Sequence, residues 1–388
     1  MNLKGAFGAR LVVFALLSIL AGWGLSIVSE SFLASRWNFE DSWVVEMLET
    51  GEPVQKDLEG STDFEGWNTE TREIKVLFLS GNFRGTEAVA SVEHLKDSRL
   101  VMRPGLTYIL SYNEFDDGSR IFFVSDVFRA PAFAGLFAGA VVFFCLVTGI
   151  TGIRAILGLF LSFLVLVKFL LPGLLKGYPP QVLGIAAVAG VALVTVVTVL
   201  RRRRCWLPAF SGALGGCVSA ILFGWFSVGF LQLSGLSTES ASILSSTIPG
   251  LNIRGILLAS IMIGASGAVL DVAVSVTSAM AEIKDHDPGI TSGGLFRSGI
   301  NVGREVLGSM VNTLVFAYFG NSLILSLLIL EAEPVPIALL NDAVVVEEIV
   351  RALAGTAGLL LTVPLTALFG AFASPVKTQP VDNAVSRA

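Results

Sequence analysis

The sequence predicts an α-helical polytopic membrane protein of about eight transmembrane helices, with a small all-β extracytoplasmic domain between helices 1 and 2. Three observations predict it. Of 388 residues, 53% are apolar and only 15% charged, against about 25% charged in a soluble protein, and the mean hydropathy is +0.75. Several stretches reach the length of about 20 mainly apolar residues that a helix needs to cross hydrocarbon. One segment, residues 30–128, has the composition of a soluble domain. The 40 glycines fit close helix packing in lipid, which favours small residues. A disordered chain, a collagen, a coiled coil and a nucleic-acid binder are excluded.

The first span is Leu11 to Ser29, preceded by Lys4 and Arg10. Its apolar run of about 18 residues exceeds the 7–15 of a signal-peptide core, and no A-x-A-like site follows, so residues 1–29 read as a retained anchor rather than a cleaved leader. A seven-helix bundle is expected over residues 129–376, with a cytoplasmic tail at 377–388. Its spans are Ala130 to Ile153, Ile153 to Gly173, Gln181 to Leu200, Leu207 to Leu231, Gly255 to Ala281, Val306 to Leu330 and Ala352 to Ala373.

Lys and Arg in short loops set orientation. With the N-terminus inside, twelve basic residues face the cytoplasm: Lys4, Arg10, Arg154, Arg201 to Arg204, Lys284, Arg297, Arg304, Lys377 and Arg387. Only Lys176, Arg254 and Arg351 face the other side. Both termini are therefore expected in the cytoplasm and residues 30–128 outside. Arg201–Arg204 reads as a topology anchor beside anionic headgroups rather than a nucleic-acid site.

Within residues 30–128, period-two alternation predicts strands at Trp43 to Leu48, Glu73 to Leu79, Thr107 to Tyr112 and Arg120 to Ser125. Asp116-Asp117-Gly118 is a hairpin signal, because Asp-Gly supplies the positive φ of a tight turn. Gly81 to Gly85 reads as a loop, Pro104-Gly105 as a turn, and Gln55 to Thr71 as a polar excursion. Four to six short strands suggest a barrel or sandwich, OB-like in size. No catalytic constellation surrounds His94. Cys145, Cys205 and Cys217 lie outside this segment, so there is no disulfide framework in it and they read as small packing residues.

The chemistry concentrates in the sixth span. Gly264, Gly267, Asp271, Ser275, Ser278 and Glu282 recur at steps of three and four, which stacks them on one helix face. A carboxylate in mid-membrane must face the bundle or water. Two roles stay open for Asp271, coupling to an ion or proton and a structural hydrogen bond between helices. Lys168 lies about 7 Å further from the inner end than Asp271, near the limit of a lysine side chain, so snorkelling to the outer surface is favoured over a direct pair. The link from Glu282 to Glu305 is expected to hold at most a short interfacial helix, with Arg304 and Glu305 opening the seventh span and Asn312 inside it. His286 between two aspartates reads as a solvated acidic turn rather than a metal site. Elsewhere, Gly212, Gly216, Ala220 and Gly224 line one face of the fifth span, and Gly135 with Gly139 repeat the pattern in the second, as helix-packing faces.

Gly267-Ala-Val-Leu-Asp-Val-Ala-Val-Ser275, Ser298-Gly-Ile-Asn-Val-Gly-Arg304 and Gly308-Ser-Met-Val-Asn-Thr-Leu314 with Ala317-Tyr318 resemble the YibE/F-like family of bacterial membrane proteins. Lys168 to Gly177 and Val363-Pro-Leu-Thr366 are similar to that family's third-span ending and final span. At Glu305 the family pattern more often has Asp, so the charge is kept. The resemblance covers residues 129–373 well and the outside domain loosely. It implies the architecture and a bacterial plasma membrane, and it implies no substrate.

The reading that follows is a transporter or export component. Asp271, Ser275, Ser278, Glu282, Lys168, Arg304, Glu305 and Asn312 are its candidate path for an ion, proton or solute. The alternative is a membrane-anchored binding or assembly protein whose β domain docks a protein partner. No catalytic residue, metal or cofactor is expected, since H-E-x-x-H and G-x-S-x-G are absent. The expected partners are the lipid bilayer, a small ion or solute and a protein outside, with no nucleic acid; the oligomeric state is left open.

Overall fold

A computed structural model describes residues 3–37, 42–54, 69–95, 103–114, 120–331, 337 and 341–373. It divides into two compact units, Met1–Gly152 and Ile153–Ala388. Seven helices among the described residues are long and apolar enough to cross a membrane.

In the first unit, helix α1 (Leu3–Ser35) leads into five strands: β1 (Ser42–Val54), β2 (Thr69–Phe78), β3 (Glu87–Leu95), β4 (Thr107–Glu114) and β5 (Arg120–Val127). They close into a barrel in the order β1-β2-β3-β5-β4. All pairs are antiparallel except β3 with β5. Alternation is the cause: Met47, Ile74, Val76, Tyr108 and Leu110 point inward and are fully buried. Trp43 lies against this core, its ring stacked on Tyr112 at 5.5 Å and edge-on to Phe78. Gly81 turns beneath it at φ +70°, where a Cβ would strike the indole. The expected strands lie in β1, β2, β4 and β5, whereas β3 had no prediction. Pro104-Gly105 is a turn and Gly81–Phe83 a short helical turn. Asp116 to Gly118 and most of Gln55 to Thr71 lie outside the described residues.

Helix α2 (Ala130–Thr148) begins with Pro131 in its first turn and stops at Gly149, at φ +63°. It packs antiparallel on α1, with Gly135 against Gly22 and Ser26, and Gly139 against the Ser18 carbonyl. Lipid supplies no hydrophobic drive between helices, so this backbone-to-backbone approach is the attraction. The expected packing face at Gly135 and Gly139 is thus the α1–α2 seam, and α2 clusters with the anchor rather than with the helices after it.

The second unit starts with α3 (Ile150–Val165), a π-helical turn at Leu166–Leu170 and α4 (Leu171–Leu175). Pro172 accounts for the π turn, because its ring has no N–H and crowds the carbonyl four residues back. There Leu171 N–H donates to Leu166 O, five residues back. Next come α5 (Pro180–Val199), α6 (Trp206–Phe230), the short α7 (Glu239–Thr247), α8 (Ile253–His286), α9 (Ser292–Asn321), α10 (Leu323–Glu331) and α11 (Ala343–Phe372).

Helix α8 is central. The small face of α6 meets it and α11: Gly212 lies against Thr366, Gly216 against Thr362 and Val269, and Gly224 against Ile261. Gly184 of α5 rests on Ala259 and Met262, and Val196 shares a cluster with Ala281. These pairings make α5 and α11 parallel to α8, and α6 antiparallel. Helix α9 is also antiparallel: Gly299 meets Met280 and Ala367, Gly303 meets Val363, and Tyr318 reaches Gly264.

Two expectations on the sixth and seventh spans are corrected. The link between them is not Glu282 to Glu305, since α8 runs to His286 and α9 starts at Ser292 behind the Thr291 cap. Nor is Val306 to Leu330 one helix, since α9 ends at Asn321 and α10 follows a break at Ser322. Arg297, Arg304 and Glu305 lower the hydropathy of α9, which is not among the seven apolar spans. Arg304 and Glu305 therefore lie in mid-helix, twelve and thirteen residues in, about 18–20 Å along α9.

Candidate functional site

The face expected on the sixth span is present as a continuous stripe. Gly264, Gly267, Asp271, Ser275, Ser278 and Glu282 are all exposed, while Val269, Val272, Ala273 and Val276 between them are buried. The period of 3.6 residues causes this: positions on the packed side meet α5, α6, α9 and α11, and these six face away. Asp271 lies fifteen residues, about 22 Å, from the end of α8 at His286. Among the described residues it makes no hydrogen bond or ion pair, and neither do Ser275 and Ser278. An ionised Asp facing hydrocarbon there costs about 2.5–3.5 kcal/mol on an insertion scale, so this face requires water or protein over it.

Helix α9 carries a second polar face. Leu295, Gly299, Gly303 and Leu314 are buried against α8 and α11, whereas Asn301, Arg304, Glu305, Gly308 and Asn312 are exposed. Arg304 and Glu305 have no ion-pair partner among the described residues. Because Gly299 lies beside Met280 and Tyr318 beside Gly264, the polar part of α9 runs alongside α8 between those two contacts, level with Asp271 to Ser278. Lys168 is exposed on the π-helical turn, and no hydrogen bond or ion pair joins it to Asp271.

The two ends of the stripe are tied down differently. At one end Arg202 and Arg204 both grip Asp285, and Arg202 is 3.6 Å from Glu282. Lys284 donates to the Pro288 and Ile290 carbonyls, both at 3.0 Å, closing the short α8–α9 turn. The basic run thus clamps α8 as well as marking a helix end. His286 places Nδ1 3.0 Å from the Glu282 carbonyl. Among the described residues, no group of three His, Cys, Asp or Glu could hold a metal ion.

At the other end lies a cluster that the sequence reading missed. Glu347 is buried and accepts the Ser237 hydroxyl through Oε2, while Oε1 has no partner. Glu348 pairs with Arg351 through Oε1, and its Oε2 is buried without a partner. The Tyr318 hydroxyl, also buried and unpartnered, lies 2.9 Å from where a Cβ on Gly264 would stand. Tyr318, Ser322, Ser326 and Glu348 line a cavity of about 230 Å³. Glu347, Glu348 and Arg351 precede the expected start of the last span at Ala352, whereas Tyr318, Ser322 and Ser326 fall inside the expected span Val306 to Leu330. The signal was there: Asp342 is a helix cap whose Oδ1 accepts from Val344 and Val345 N–H.

Asp271 lines none of the described cavities and sits on the open stripe. No curated protein and no solved structure matches the chain. The stripe, the α9 polar face and the small-residue seams of the bundle all fall within residues 136–375, which match the family model described as YibE/F-like protein. That match spans more than half of the sequence, and the chain belongs to the YibE/F-like family.

Proposed function

We propose that the chain is an integral plasma-membrane protein of a bacterium that carries a proton or small ion along the α8 stripe, as a transporter or the coupling part of an export system. One observation carries this reading: the most enclosed helix of the bundle leaves a single face uncovered, and on that face Asp271 stands unpaired. A helix selected only for packing would place an apolar residue there, since a lipid-facing carboxylate is costly. The orphan oxygens of Tyr318 and Glu348 beyond Gly264 extend the polar line toward the far end of the bundle. In this reading α9 is an eighth span, both termini lie in the cytoplasm, the barrel is outside, and the protein is not an enzyme.

The second reading, a membrane-anchored binding or assembly protein, draws support from the barrel. Phe83 is exposed at its end, 6.0 Å from the Trp43 ring, where a protein partner could bury it.

The readings separate on water at the stripe. With the native cysteines replaced, Ser275→Cys should react with a membrane-impermeant thiol reagent in intact vesicles. Asp271→Asn should keep expression and assembly, because the amide fills the same space, yet abolish proton or ion flux in proteoliposomes. An unreactive cysteine together with full flux in the Asn variant would sink the coupling role.

A further inference from the structure

Away from the stripe, the end of the bundle where α5 and α8 begin holds a cavity of about 490 Å³. Its lining joins two chemistries. Gln181, Asn252 and Arg254 supply polar groups, and Trp225, Phe226 and Phe230 supply an aromatic wall. Arg254 donates through Nη2 to the Val228 carbonyl at 3.1 Å, which fixes the guanidinium over the end of α6. Its other donors are unpaired among the described residues, and no carboxylate neutralises it.

Two helix N-termini meet at the same place. Pro180 at the start of α5 lies 3.0 Å from where a Cβ on Gly255 would stand, and the helices run parallel from there. Neither first turn contains an acidic residue; the Asn252 side-chain oxygen caps α8 by accepting from Gly255 N–H at 2.9 Å, and no charge offsets the positive ends of the two dipoles. Gln181 N–H and Arg254 N–H have no protein acceptor among the described residues. Trp225, Phe226 and Phe230 are 66%, 63% and 77% exposed, at the end of α6. Aromatic rings at a helix end are placed for the membrane interface, where headgroups lie.

We propose that this cavity binds a phosphate-bearing anion, either the headgroup of an anionic phospholipid or a soluble phosphate ester. The forked guanidinium and free N–H groups hold phosphate oxygens, and the aromatic wall receives the glycerol and acyl portion. The site is independent of Asp271 and of any ion path.

The test is native mass spectrometry of the full chain released from nanodiscs of phosphatidylcholine mixed with phosphatidylglycerol. The unsubstituted chain should retain phosphatidylglycerol preferentially, and Arg254→Gln should weaken that retention about tenfold, the loss of one charge-assisted contact. Arg254→Lys keeps the charge but not the fork, and should weaken it about threefold. Millimolar inorganic phosphate or glycerol 3-phosphate that strips the lipid identifies a soluble ligand; failure to strip it identifies the headgroup. Equal retention of both lipids by the unsubstituted chain, with no glycerol 3-phosphate retained at millimolar concentration, overturns the proposal, as does unchanged retention in Arg254→Gln. If the Gln variant does not fold, unchanged retention in the Lys variant has the same force.

Discussion

Glu347 is 5% exposed, and its two carboxylate oxygens have different fates: one accepts the Ser237 hydroxyl and the other faces no donor. A buried carboxylate with half its acceptor capacity unused gains little from its charge. Glu347→Gln, which keeps the acceptor and the shape, should therefore change thermal stability in detergent by less than about 1 kcal/mol. Ser237→Ala leaves Oε2 unpartnered as well, and should cost about 1.5 kcal/mol. A large loss in the Gln variant would mean that the charge is used, by a cation held there. Asp271 invites the contrast, having neither oxygen partnered among the described residues and being exposed. Its position was legible because six residues at steps of three and four mark a face, whatever the neighbours are. Glu347 was not legible, because burial at a helix start depends on where that helix begins and on Ser237, 110 residues earlier in the chain.

At the scale of elements, the packing seams follow from small residues and the helix boundaries do not. Gly212, Gly216 and Gly224 of α6 were legible as a face: Gly212 and Gly216 come within backbone distance of α11, and Gly224 faces the Ile261 and Leu258 side chains of α8. At Gly216 a Cβ would collide with the Thr362 hydroxyl, which already donates to Gly358 O at 2.7 Å. Gly216→Leu should therefore separate α6 from α11, with an overpacking cost of about 1–3 kcal/mol or more, read as a lower melting temperature and poor yield. Gly267→Leu on the open stripe meets nothing within 4 Å and should leave the fold intact. Equal damage from both would refute the seam. Helix α9 was misread because a hydropathy window averages Arg297, Arg304 and Glu305 with their apolar neighbours. Leu295, Gly299 and Gly303, four apart, record its packed face, and that signal does not depend on mean hydropathy.

For the whole molecule, the threading of the chain turns on α9. Its contacts run from Gly299 beside Met280 to Tyr318 beside Gly264, so α9 covers nineteen residues, about 28 Å, alongside α8 in the opposite direction. That is close to the thickness of the hydrocarbon core. Any placement that puts α8 across the bilayer carries α9 across with it, despite its charges, and those charges must then face the same water or protein that covers Asp271. Mean hydropathy alone counts seven spans and would leave the turn at Gly289 on the same side as Asn341. With α9 across the bilayer they lie on opposite sides, with Gly289 on the side of Arg204, because Arg202 and Arg204 hold Asp285 one residue before the end of α8. Reporter fusions after Arg204, Gly289 and Asn341 should accordingly read inside, inside and outside. A reporter at Asn341 that reads inside would remove α9 from the membrane, and with it the reason for Arg304 and Asn312 to share a path with Asp271.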